Sequence, residues 1–144
     1  MTSANRTLHQ TRTFPVSLDA LWKASTESTQ IVNWWGPDGF TCTIHTMDFR
    51  KGGEWKLTLH GPNGTKYPNR SVYLEIIPHE KIVFEHFNPH FLTTVLFQSM
   101  DQGTVVDWSM EFDTPEMFDV VVKAHKADEG LVQNLDKLGK FLMQ

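Results

Sequence analysis

The sequence predicts a single α+β domain, residues 1–144, in which a curved antiparallel sheet folds around a long C-terminal helix and encloses an apolar ligand cavity. Three observations predict it. Residues 104–112 alternate strictly, with Thr104, Val106, Trp108, Met110 and Phe112 on one face and Asp107, Ser109 and Glu111 on the other; such alternation marks a half-buried antiparallel strand. The period then changes: Ala124, Ala127, Leu131, Leu135, Leu138 and Leu142 recur at helical spacing. Finally, the order is strand, two short helices, six strands, long helix, and a run of strands followed by a helix argues for an antiparallel α+β sheet. The long helix has to bury its apolar stripe, and the only surface large enough is the concave face of a bent sheet.

The elements follow in order. Residues 6–14 read as a first strand, closed by Phe14-Pro15. Ser17 is a candidate N-cap for a short helix from Leu18 to about Ser25, with Leu18, Leu21 and Trp22 on one face. A second short helix, Glu27 to Asn33, runs into Trp34-Trp35-Gly36-Pro37-Asp38-Gly39, where two glycines and a proline enforce a turn. Strands are expected over 40–48, 54–60, 70–77, 81–87, 92–100 and 104–112. Turns at Lys51-Gly52-Gly53, Gly61-Pro62-Asn63-Gly64 and Asp101-Gln102-Gly103 separate them. Thr114-Pro115 opens the C-terminal part, where a short segment Glu116–Val122 precedes a main helix expected from about Lys123 to Met143. Gly130 interrupts that helix at a cost of about 1 kcal/mol relative to alanine; either its lack of a side chain lets the backbone approach the sheet or a ligand, or the helix simply tolerates it.

Composition narrows the function classes. The net charge is -4, and the 13 Lys and Arg form no stripe, so the electrostatic footprint of nucleic-acid or membrane-surface binding is missing. No apolar run approaches the ~20 residues of a membrane span. The first ten residues are polar, which predicts no secretory signal and a cytoplasmic location; the triplets at Asn5, Asn63 and Asn69 are then not glycosylation sites. Cys42 is the only cysteine and excludes an internal disulfide. Its alternating apolar stretch predicts a buried small hydrophobe. Aromatic residues make up 12% of the chain, more volume than packing alone requires, and point to a roomy interior.

Several segments resemble one family. They are Phe14-Pro15-Val16 with Leu21-Trp22, Trp34-Trp35-Gly36-Pro37-Asp38-Gly39-Phe40, Asp48-Phe49-Arg50-Lys51-Gly52-Gly53-Glu54-Trp55, Tyr73-Leu74-Glu75-Ile76-Ile77-Pro78 and Leu135-Asp136-Lys137-Leu138. Together they are similar to homologues of the C-terminal domain of the heat-shock-protein-90 ATPase activator. These lie within the helix-grip superfamily of START lipid-transfer domains, pathogenesis-related allergens and polyketide cyclases. The resemblance spans nearly the whole chain. It implies the helix-grip fold and the holding of a hydrophobic small molecule between sheet and helix. Nothing in the chain corresponds to the separate chaperone-binding domain of the eukaryotic co-chaperone, so a chaperone partner is not expected.

Candidate chemistry is sparse. His86 and His90 are four apart, but Pro89 breaks any helix between them, so no metal site is expected. Cys42 and His45 fall on opposite faces of a strand, no G-x-S-x-G elbow occurs, and Gly52-Gly53 lacks the phosphate-loop pattern. No catalytic residue and no cofactor are expected. The leading expectation is a non-catalytic pocket for a small hydrophobic ligand, lined by Trp35, Trp55, Leu57, Phe84, His86, Phe97, Trp108, Met110 and Leu131. Trp34-Trp35 either gate that pocket or staple the short helices to the sheet. Two alternatives stand beside it: a cyclase- or hydratase-like enzyme using His86 or His125 in the same cavity, and a chaperone-associated interaction module. Exposed strand edges leave a homodimer open.

Overall fold

The computed structural model describes residues 3–87, 89–124 and 126–144. After a 3-10 turn, Ser3–Arg6, the chain forms β1 (Thr7–Phe14), α1 (Leu18–Thr26), α2 (Ser28–Ile31), β2 (Thr41–Met47), β3 (Glu54–His60), β4 (Lys66–Ile77), β5 (Lys81–Phe87), β6 (Phe91–Met100), β7 (Gly103–Phe112), α3 (Pro115–Asp119), a π-helical turn (Val120–Ala124) and α4 (Ala127–Leu142). The seven strands make one antiparallel sheet in the order β1-β7-β6-β5-β4-β3-β2. β1 jumps to the far side of the hairpin series and pairs with β7, from Thr7 opposite Glu111 to Phe14 opposite Thr104. β2 and β1 are the two edges. No helix among the described residues is long and apolar enough to cross a membrane.

Local chemistry explains the element ends. The Ser17 hydroxyl accepts from the Ala20 amide at 3.1 Å and caps α1. Thr114 caps α3 in the same way, with Pro115 in the first turn. The Asp48–Glu54 turn is a knot of main-chain bonds. Asp48 N–H donates to Glu54 O, Arg50 N–H to Asp48 O and Gly53 N–H to Arg50 O, while Gly52 N–H reaches across to Tyr73 O. Gly52 there has φ +82°, a conformation open to glycine at no steric cost.

Two expectations are corrected. The C-terminal helix starts at Ala127, not near Lys123. Lys126 adopts a left-handed backbone, φ 55° and ψ 42°, which interrupts the helical hydrogen bonding; Ala124 therefore leaves the stripe and sits exposed in the π-helical turn. β4 begins at Lys66, four residues before the expected start. Residues 66–69 pair with β3 alone. Pro68 thus lies on an edge stretch with one strand neighbour, where a missing N–H is tolerated.

The core lies between the concave sheet face and the helices. It joins Phe14, Val106, Trp108 and Phe112 from β1 and β7 to Leu131, Leu135 and Leu138 of α4, all buried. Leu21 and Ala24 of α1 are fully buried. Arg12 of β1 ties the solvent side of α4 to the sheet edge through Asp136 at 2.5 Å.

Candidate functional site: an apolar cavity under the C-terminal helix

Sheet register assembles the floor of a cavity. Trp55 of β3 stands opposite Ser71 of β4, Ser71 opposite His86 of β5, and His86 opposite Phe91 of β6. One step along, Phe84 pairs with Thr93, and Thr93 with Met110 of β7. Because successive side chains alternate between faces, both rows point to the concave side. Leu57, Asn69 and Trp108 extend the floor, and α4 closes it from above with Ala127, Gly130, Leu131 and Asn134. The cavity, partly open to solvent, has a volume of about 180 Å³.

The third wall is the loop after α2. Trp34 is buried at 1% exposure and its indole N–H donates to Ala24 O at 2.9 Å, so it staples α2 to α1. Trp35, one residue on, turns into the cavity. Its ring centroid lies 4.8 Å from that of Trp55 and 5.7 Å from that of Trp108. The loop is fastened to one face of α4. Gly36 N–H donates to Asn134 Oδ1 at 2.5 Å, Asp38 N–H to Gln133 Oε1 at 3.1 Å, and Lys137 Nζ to the carbonyls of Pro37 and Phe40 at 3.3 and 3.0 Å. Burial holds the Lys137 ammonium below its ordinary pKa.

Gly130 lies in the first turn of α4, facing this loop. A Cβ there would meet Pro37 Cβ at 3.7 Å, an ordinary contact. Gly130→Ala is therefore expected to stabilise the protein by about 0.5–1 kcal/mol through reduced unfolded-state entropy, read as a higher urea midpoint.

Among the described residues, no Asp, Glu, Lys or Arg lines the cavity. Its titratable group is His86, whose Nδ1 lies 2.8 Å from Pro89 O and whose Nε2 lies 2.6 Å from Asn69 Oδ1. Burial lowers its pKa, against the Pro89 carbonyl, which raises it; burial dominates, and the ring stays neutral near pH 7. The Asn69 amide is held on its other side, where Nδ2 donates to Tyr67 O at 2.9 Å. Among the described residues, three buried side-chain polar atoms have no protein partner: Trp55 Nε1, Thr93 Oγ1 and Trp108 Nε1. All three belong to cavity residues.

Close to the cavity, His90 bridges Glu85 at 2.6 Å and Asp113 at 2.7 Å. The Glu85 bond, then the Asp113 bond, raises its pKa above the ordinary 6.5. The two histidines therefore act in opposite senses. The contribution of His90 is full below about pH 6.5 and is lost as pH rises through its raised pKa; that of His86 is present above about pH 6.5 and is lost as pH falls. An NMR titration is expected to place His90 above 6.5 and His86 below it. The reverse order would contradict this geometry.

Eight of the nine residues expected to line a pocket do so: Trp35, Trp55, Leu57 and Phe84 on one side, His86, Trp108, Met110 and Leu131 on the other. Phe97 does not. It faces the same side of β6, but nearer the strand end covered by α1, where its ring packs edge-on to Trp22 at 5.2 Å. It borders only a separate void of about 20 Å³. Asn69, Ser71, Thr93 and Asn134 were missing from the sequence expectation. Thr93 was within reach, since it continues the alternation Phe91, Thr93, Val95, Phe97. His125 lies outside the described residues. Cys42 is only half-buried, on edge strand β2 and away from the cavity, and burial pushes its thiol up to about 11; an edge strand has no neighbour on one side to cover it. Among the described residues no group of three or more His, Cys, Asp or Glu is arranged to hold a metal.

The family model for Activator of Hsp90 ATPase homolog 1-like protein matches residues 15–143. Comparison with curated proteins gives no match. Among solved structures, a protein from Arthrobacter aurescens is 18% identical, with a TM-score of 0.92 over 99% of this chain and 89% of that one. A protein from Nitrosomonas europaea is 22% identical, with a TM-score of 0.88 over 98% and 96%. An AHSA1-like protein from Aeromonas hydrophila is 15% identical, with a TM-score of 0.77 over 95% and 92%. At such identities the likeness is one of fold, and the fold is the helix-grip fold.

Proposed function

The chain belongs to the Activator of Hsp90 ATPase homolog 1-like family, and from the cavity its fold encloses we propose that it binds a small, neutral, hydrophobic molecule without transforming it. The observation that carries this reading is the cavity wall, which is mainly aromatic and aliphatic and, among the described residues, includes no carboxylate, ammonium or guanidinium group. Binding would be driven by burial of ligand apolar area at roughly 25 cal/mol per Å², less the cost of ordering. Size narrows the class. A dry cavity of about 150 Å³ is enough for a benzene ring, so about 180 Å³ suits a one-ring compound or a short branched chain rather than a full lipid.

A non-catalytic role is supported by His86. Both its nitrogens are already engaged within the wall, and a general base must offer a free lone pair to the proton it removes. A chaperone does not enter this reading, because the feature that carries it is internal. The test is native mass spectrometry of the protein purified from its own host, with extraction of co-purifying small molecules. A stoichiometric neutral compound of this size is the expected result. A protein that is consistently empty, and that also fails to bind one-ring aromatics in solution, would sink the reading.

A further inference from the structure

The polar groups of the cavity wall are not balanced between donors and acceptors. The two amide oxygens of the wall are engaged: Asn134 Oδ1 takes the Gly36 N–H, and Asn69 Oδ1 faces His86. What remains without a protein partner is an indole N–H from Trp55, an indole N–H from Trp108 and the Thr93 hydroxyl. An indole N–H can only donate. Asn134, with its oxygen occupied, likewise has only its NH₂ to offer. These groups are buried; Thr93 is 1% exposed, Trp55 3% and Trp108 6%. Buried donors are nearly always satisfied in folded proteins, and exceptions point to a partner the chain itself does not supply. They come from three strands of the one sheet, β3, β6 and β7.

Resting on the binding reading above, we propose that the ligand is a carbonyl compound: a compact, neutral, one-ring ketone, aldehyde or ester whose oxygen accepts from this donor set. A carbonyl oxygen has two lone pairs and can take two donors at once. A carboxylate would add a charge that no basic group in the wall neutralises.

The test uses the full-length chain, labelled with ¹⁵N at tryptophan, and two probes of matching shape. Acetophenone carries a carbonyl where α-methylstyrene carries a methylene group. The five tryptophans give separable indole resonances, and those of Trp55 and Trp108 are assigned with Trp55→Phe and Trp108→Phe. Acetophenone is expected to bind roughly tenfold tighter than α-methylstyrene, the discrimination of one well-made hydrogen bond. At least one of the two indole N–H protons should move downfield with acetophenone alone. Thr93→Val, which keeps the shape and removes the hydroxyl, is expected to narrow the preference for acetophenone over α-methylstyrene. Equal affinity for both probes, with unmoved indole resonances, overturns the carbonyl assignment and leaves the cavity as a binding site. Failure of both probes to bind overturns the assignment and the binding reading together.

Discussion

Gly53→Ala is expected to destabilise the protein by roughly 3 kcal/mol or more, placing it among the severe single substitutions. A Cβ on Gly53 would lie 1.9 Å from the carbonyl oxygen of Asp48 and 3.0 Å from that of Arg50. Both are backbone atoms, so neither can swing aside. The chain would have to open the Asp48–Glu54 turn, which carries the Gly53-to-Arg50 and Gly52-to-Tyr73 hydrogen bonds. The neighbouring position is the control. Gly52→Ala meets nothing within 4 Å and suffers only the positive φ, which costs about 1–2 kcal/mol. Urea midpoints of the two variants measure the difference, and equal losses would refute the close approach. Trp55 lies two residues after Gly53 and forms part of the cavity floor, so ligand binding should weaken in Gly53→Ala even where the variant still folds.

Ser71→Leu is expected to reduce binding of acetophenone or any comparable probe by at least about tenfold, with the fold retained. Ser71 is 3% exposed and stands between Trp55 and His86 in the central row of the floor. The added carbons have somewhere to go, because they enter the cavity rather than a packed neighbour. Stability should therefore move by no more than about 1–1.5 kcal/mol, less than the usual cost of overpacking. Leu96→Ala, on a side chain 42% exposed, should leave binding untouched. Isothermal titration calorimetry reads both variants. Undiminished binding in Ser71→Leu would place the ligand elsewhere.

The inward aromatic set was legible in the sequence because a strand alternates with period two. Trp55, Phe84 and Trp108 needed nothing else to be assigned to the concave face. Alternation gives the face but not the height along the strand, and Phe97 shows the difference: it points inward, but under α1. The polar wall was harder to see. Asn69 follows Pro68 in a stretch that reads as loop, and Asn134 is a polar residue three positions from Leu131 in a stripe defined by its apolar members. Their roles depend on partners supplied by distant segments, Gly36 and His86. The start of α4 was hidden for a related reason. Lysine has no particular preference for the left-handed conformation that Lys126 adopts, so the break leaves no mark in the sequence.

The fastening of the Trp34–Phe40 loop to α4 has a kinetic consequence. The Gly36 amide is a backbone donor whose protection depends on a side chain of another element, since its acceptor is Asn134 Oδ1. Solvent reaches that amide only when loop and helix part. Hydrogen exchange at this one position is therefore a clock for the opening of that side of the cavity. A molecule that leaves between loop and helix can do so no faster than Gly36 loses its protection, and a faster departure would mean that the exit lies elsewhere, past the π-helical turn at the other side of Ala127.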